Sequence, residues 1–245
     1  MTAPDIDALA QERLTADEQH LEQQSTGGRI SRVTLGGAWR SFWRHPSPWM
    51  ISTFLAATVV GRVVVGAGTW WELLIPAGLV ALFPVIEWSI HVGILHWKPR
   101  RVGPVPVDSL LARKHREHHA DPRDIPLVFI PWQVLAWLLP GYALLAWLLL
   151  PATVALSLLV SIYALKLGYE WTHYLIHSDY KPRTTAYRKV WRNHRLHHYK
   201  NEHYWFTVTT AGTADRLLGT YPDPAVVRTS KTVKRLHDAE AQSAR

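Results

Sequence analysis

Four long apolar stretches set the frame for this chain. A helix needs about 20 apolar residues to cross the roughly 30 Å hydrocarbon of a bilayer. Stretches at roughly 49–67, 70–92, 126–148 and 152–174 approach that length. The first is interrupted by Arg62, and the third contains Pro140-Gly141, which can kink or shorten it. Only a turn at Pro151 separates the last two, with no charge in it, so they read as a tight hairpin. Hydrophobic residues make up 48% of the 245-residue chain but are concentrated between Trp49 and Tyr174. The near-zero mean hydropathy therefore averages a membrane-embedded middle with water-soluble flanks. Three parts are expected: a polar N-terminal segment with an interfacial helix (1–48), a membrane-embedded part with a cap (49–222) and a polar C-terminal tail (223–245).

Residues 5–24 read as a polar helix with little apolar face. Residues 30–48 interleave Arg32, Arg40 and Arg44 with Trp39, Phe42 and Trp43, a mix suited to the bilayer surface. The acidic start (Asp5, Asp7, Glu12, Asp17, Glu18) lacks the charged n-region and apolar core of a signal peptide. There is no Cys, which excludes disulfides and thiolate metal sites.

The formal charge of +8 fits nucleic acid or anionic headgroups. Lys and Arg here flank apolar spans, so lipid is the reading, and no nucleic-acid partner is expected. The 13 Trp, many near span ends, resemble an interfacial belt. Of the 27 Lys and Arg, only Arg62 and Lys166 fall inside spans, and the connections at Gly66–Thr69 and Pro151 carry none. Basic residues mark the cytoplasmic side. Both termini and the other loops are therefore placed there, with Lys166 snorkelling. A bacterial inner or plasma membrane is favoured over the endoplasmic reticulum.

Ten of the 14 His fall into four compact groups. His91 and His96 form HxxxxH. His115, His118 and His119 form HxxHH. His173 and His177 form HxxxH. His194, His197 and His198 form a second HxxHH. Helical residues three and four apart share a face, so HxxxH and HxxHH each aim imidazoles at a common region. His91 and His96 are five apart and diverge on a regular helix, but Pro99 ends that helix near Trp97, so His96 can bend back or serve a second metal. The topology brings all ten to one membrane face. One ion takes four to six ligands, so ten imidazoles suit two ions. His20, His45 and His237 read as interfacial polar tips, and His203 stands outside the pattern. Glu87 and Glu170, each about a turn before a His, can accept the imidazoles' second N–H or lie at the interface. Asp121, Asp124 and Asp179 are weaker candidates for that role.

With these motifs, and with the strings HWKP, THYLIH and HRLHHYKNEHYWFTVTT, residues 80–222 resemble the fatty acid hydroxylase (sterol desaturase-like) superfamily, most closely its 2-hydroxylase branch. The resemblance implies an all-α integral membrane protein: four transmembrane helices under a cytosolic helical cap. It implies that His91, His96, His115, His118, His119, His173, His177, His194, His197 and His198 ligate two iron ions, and that the chain hydroxylates a lipid with O₂ and two external electrons. Imidazole suits iron and zinc alike, so zinc can replace iron on purification, but zinc has no redox chemistry. Eukaryotic members often carry a fused cytochrome b5 domain. Residues 1–48 are too few for one, so a separate donor is expected, a ferredoxin or a b5-like protein. Carotenoid and sterol hydroxylases or desaturases of the superfamily are alternatives. A non-oxidative zinc enzyme has no HExxH to support it, and a metal transporter would place its ligands near the midplane. An acyl chain is expected to enter between the spans, with Trp132, Tyr163 and Trp171 as candidate lining or as ordinary packing residues.

Overall fold

The computed structural model describes residues 33–66 and 68–237. The polar helix expected at 5–24 lies outside them. The described residues are mostly helical. Helix α1 (Leu35–Phe42) is capped by the Thr34 hydroxyl, which accepts from the Gly37 N–H at 3.1 Å. Helix α2 (Pro46–Val65) begins on Pro46, whose fixed φ suits the first turn, and stops at Gly66 with φ 84°. A short 3₁₀ turn (Trp70–Leu73) leads into α3 (Leu74–Ile90). A small hairpin pairs β1 (Arg100–Val102) with β2 (Val105–Val107), Arg100 opposite Val107. Then come α4 (Leu110–Ala120), the short α5 (Ile125–Val128), α6 (Trp132–Leu149), α7 (Ala152–His177), α8 (Thr185–Tyr199) and α9 (Thr213–Leu217).

Four segments are long and apolar enough to cross a membrane: Pro46–Val65, Trp70–Leu95, Ile125–Leu149 and Ala152–His177. They coincide with the four stretches read from the sequence. Helix α6 runs unbroken through Pro140, and α3 through Pro84. Large apolar side chains on these helices stay uncovered by protein, with Trp137 84% and Val64 79% exposed. Exposure on that scale needs lipid rather than water around it. Inside the bundle, Ile51, Leu135, Leu139, Ala155, Leu159 and Tyr163 form the core where α2, α6 and α7 meet.

Arg62 is accommodated at the bundle end away from the histidines. It pairs with Glu72 at 3.1 Å, and Ser157 bridges the two at 3.0 and 2.9 Å. A cation so paired no longer carries the full cost of burial. Lys166 extends over the Tyr142 ring at 5.6 Å. At the other end, α1 seats Phe42 among Trp171, Tyr174 and Phe129, with ring centroids 5.1, 5.6 and 5.7 Å away. Residues 223–237, expected as a polar tail, fold back onto the cap: Val233 and Leu236 are buried, and the Ser230 N–H donates to the Lys200 carbonyl at 2.7 Å.

Candidate metal centre

The ten histidines come together as two groups of five. His91, His96, His115, His119 and His197 form the first, and His118, His173, His177, His194 and His198 the second; within each, the candidate donor atoms all lie within 4.8 Å of one another. The helices impose this division. In each HxxHH, the two residues four apart serve one group and the middle one serves the other. Helix α4 gives His115 and His119 to the first group and His118 to the second. Helix α8 gives His194 and His198 to the second and His197 to the first. The end of α3 adds a pair to the first group and α7 a pair to the second. Both groups therefore have the same composition: a pair from a membrane helix, a pair from one cap helix and a single residue from the other.

His91 and His96 join one group because the chain between them is not α-helical. Residues His91–Leu95 form a π-helical segment, closed by the His96 N–H donating to the His91 carbonyl at 2.9 Å. The wider turn returns residue i+5 to the face of residue i. The divergence expected for a regular helix is removed, and the two rings lie 5.0 Å apart.

The nitrogen positions carry the chemical argument. His119 and His197 direct Nδ1 at the carbonyls of Val233 (3.1 Å) and Tyr204 (2.8 Å), and His91 directs Nδ1 at that of Phe206. A carbonyl only accepts, so each Nδ1 bears the proton and each Nε2 of a neutral ring presents a bare lone pair. Burial holds His119 and His197 well below the ordinary histidine value of 6.5, with neighbouring imidazoles adding to the effect, so both rings are neutral. Yet their Nε2 atoms face each other at 3.1 Å. Two bare lone pairs at that distance repel unless a cation lies between them. An ion about 2.1 Å from each nitrogen, with adjacent ligands at right angles, sets those nitrogens about 3.0 Å apart. The observed Nε2 separations fit: 3.1 Å for His91–His115, 3.2 Å for His96–His197, and 3.0 Å for both His177–His194 and His194–His198. Both nitrogens of the buried His118 lack any partner among the described residues, which also suits an absent ligand. The residues present therefore fit a metal ion in each group.

Neither carboxylate considered from the sequence accepts from an imidazole. Glu87 takes the Thr209 N–H at 2.8 Å and its hydroxyl at 3.2 Å, and Glu170 takes the Ile130 N–H at 2.9 Å. Both anchor loops against the membrane helices. The groups that orient the rings are backbone carbonyls, to which spacing arguments are blind. Trp205 sits between two of them with φ 56°, uncommon for a bulky residue and costing about 1 kcal/mol or more. That turn lets the carbonyls on either side, Tyr204 and Phe206, reach His197 and His91. Asp215, fully buried, holds the loop by accepting from the N–H groups of Phe206 (2.7 Å) and Thr207 (3.0 Å) and from the hydroxyls of Thr207 (2.5 Å) and Thr220 (2.8 Å). Glu202 does the same for the terminal stretch, accepting from the hydroxyls of Ser230 (2.9 Å) and Thr232 (2.5 Å). A lone acid in a one-turn helix or a loop offers no sequence signal of this kind. The scattered histidines stay apart: His45 stacks on Phe129 at 4.2 Å, His203 is exposed, and His237 directs Nε2 at the His96 carbonyl at 3.1 Å. His20 lies outside the described residues. Among the remaining acids, Asp121 accepts from the Arg123 N–H at 3.1 Å within its own turn.

Four apolar helices capped by two buried five-imidazole clusters define a class: a polytopic membrane protein whose cap can hold two metal ions. The chain belongs to the fatty acid hydroxylase family, whose model matches residues 76–220. It is 28% identical over 151 residues to the dihydroceramide fatty acyl 2-hydroxylase FAH2 of Arabidopsis thaliana, covering 59% of this chain and 61% of that relative's length. Its fold resembles the hydroxylase domain seen in full-length scs7p, with a TM-score of 0.61 and 23% identity over 76% of this chain and 70% of that one.

Proposed function

We propose that this protein is a membrane oxygenase that hydroxylates a fatty acyl chain. The reaction converts a C–H bond, O₂, two electrons and two protons into C–OH and water. The observation that carries this reading is the pair of buried all-imidazole clusters at one end of four lipid-facing helices. Two iron ions, one per group of five histidines, would supply the activation of O₂ that imidazole-ligated zinc cannot. The chain's own part is to keep the imidazoles of the cap helices neutral by burial, fix the tautomers of His91, His119 and His197 through backbone carbonyls and hold the substrate carbon beneath the cap, away from bulk water. The similarity to a fatty acyl 2-hydroxylase points to a carbon near the carboxyl end of the chain. The electrons come from a separate carrier of ferredoxin or b5-like type, and the cap faces the cytoplasm.

A hydrolytic zinc enzyme would need a general base beside the metal. The two clusters contain histidine alone, and Glu87 and Glu170 are engaged by backbone N–H groups. The test is expression in a membrane, with bound metal measured and lipids profiled in air and under anoxia for wild type and His118→Ala. An O₂-dependent hydroxyacyl lipid is expected in wild type alone. Identical profiles with no such product in either overturn the hydroxylase reading, and a hydroxylated carotenoid or sterol instead moves the substrate within the family.

A further inference from the structure

Tyr163 and Trp171, weighed from the sequence as path lining or as ordinary packing residues, are packing residues. Tyr163 is fully buried, with its hydroxyl donating to the Leu139 carbonyl at 2.7 Å, and Trp171 packs on Trp39 and Phe42. A cleft of about 420 Å³ lies instead between α3 and α7. Pro76, Val80 and Phe83 form one wall, and the small residues Ser161, Ala164 and Gly168 form much of the other. Tyr169, Thr172 and Thr209 close its upper end. The Tyr169 ring is 5.6 Å from that of His173.

We propose that this cleft is the acyl-chain site, entered sideways from the bilayer, and that Gly168 and Ala164 set the chain it accepts. This rests on the hydroxylase reading and specifies where its substrate lies. Three observations converge on an acyl chain as the occupant. First, both walls belong to membrane-spanning segments, and the uncovered residues on them, Val80 among them, face lipid rather than water. Second, the walls lead to different metal groups: α3 runs up to His91 of the first and α7 to His173 of the second. A chain in the cleft therefore presents its upper carbons between the two clusters. Third, the depth fits one leaflet. From Ser161 to Thr172 the helix rises about 16 Å at 1.5 Å per residue, about half of the roughly 30 Å hydrocarbon. A lipid of the leaflet on the histidine side enters without changing depth. Its ester or amide end meets the polar Tyr169, Thr172 and Thr209, and its tail runs along Phe83, Val80 and Pro76. The polar end lies next to His173, so oxidation falls on carbons close to the headgroup.

A Cβ added at Gly168 meets nothing within 4 Å, so a larger side chain there points into the cleft without striking the protein. It also raises helix propensity. Gly168→Leu therefore fills the site in a chain that still folds. The test uses the full-length protein in membranes and two readouts. In photolabelling with a palmitoyl lipid carrying a tail diazirine, adducts are expected at Val80 and Phe83 and fall about tenfold in Gly168→Leu, since the leucine takes the place of a few buried methylenes. In lipid profiling, hydroxylated products of Ala164→Leu are expected to shift to shorter chains while bound metal stays unchanged. Equal labelling in wild type and Gly168→Leu overturns the proposal, as does labelling by a diazirine sterol in place of the palmitoyl probe. Labelling that depends on Gly168 without any O₂-dependent product supports the cleft and overturns the hydroxylase reading alone.

Discussion

The two histidine groups share a composition and differ in what holds them. In the first, three of five rings direct Nδ1 at backbone carbonyls of two loops, residues 204–206 and 233. In the second, Nδ1 of His118, His194 and His198 finds no acceptor among the described residues, although all three rings are buried. Three rings of the first group thus have their tautomers fixed by the loops before any ion arrives. The second group gains its order from rigid helices and from the ion itself. The difference follows from the chain. The loops after α8 lie over the first group, while the second is enclosed by α7, α8 and α4, whose own carbonyls are spent within the helices.

The largest effect comes from breaking the division itself. His118 and His119 are adjacent in sequence but belong to different groups. Either change to Ala should reduce bound metal from about two ions per chain to about one and, on the proposed two-iron reaction, abolish product. Combining His118→Ala with His173→Ala should cost no further ion, whereas His118→Ala with His119→Ala should cost both. Metal analysis of purified chains decides it, and equal losses in the two double variants would erase the division.

Acid is next in size and acts on both groups. Burial holds His115, His119, His194 and His198 well below 6.5 in the folded protein, while the unfolded chain titrates near that value. Above pH 6.5 neither state takes up a proton at these rings and stability is complete. As pH falls below it, the unfolded chain gains protons that the folded one refuses, at about 1.4 kcal/mol per pH unit for each ring. Metal-free protein should therefore melt at progressively lower temperature from pH 7 to pH 5. A melting temperature flat across that window would show that the rings are not buried neutral.

The spans and the ten histidines were legible from the sequence because both depend on counting. Membrane length fixes how many apolar residues recur, and helical period fixes which histidines share a face. HxxxH carried that logic fully. HxxHH carried it in part: residues four apart do converge, but the middle histidine turns to the other cluster, a division the count of ligands does not reveal. HxxxxH broke it, since a π segment changes the period, and Pro99 signalled only that something irregular followed. Glu87 and Glu170 stand at the right spacing and do different work, because loop N–H groups reach them first. Asp215 and Trp205 left no mark that spacing can read.

Asp215 offers a selective cut. Replacing it with Ala strands two backbone N–H donors and two hydroxyls in a buried loop. The loss should be about 2 kcal/mol or more of stability. The loop carries the acceptors of His91 and His197, so metal affinity of the first group should fall about 10- to 100-fold while the second keeps its ion. Titration with a chelator, read as one weak and one tight site, tests this. Two sites weakened alike would mean that Asp215 acts through the fold as a whole.

The smallest effect tests the other loop. Glu202 is buried and fixes the hydroxyls of Ser230 and Thr232, three and one residues from the Val233 carbonyl that accepts from His119. Glu202→Ala frees that stretch without touching residues 204–206. Only one of the three carbonyl contacts is loosened, so the first group should weaken by about tenfold or less, the low end expected when an orienting partner is lost. Glu202→Gln retains an oxygen able to accept from Ser230 and Thr232 and should recover most of the affinity. If Glu202→Ala instead weakens the second group, residues 230–237 brace the whole cap, and orientation of His119 is not their main work. If neither group weakens, the helices alone suffice to set His119, and the contrast between the two groups narrows to the single loop that Trp205 turns.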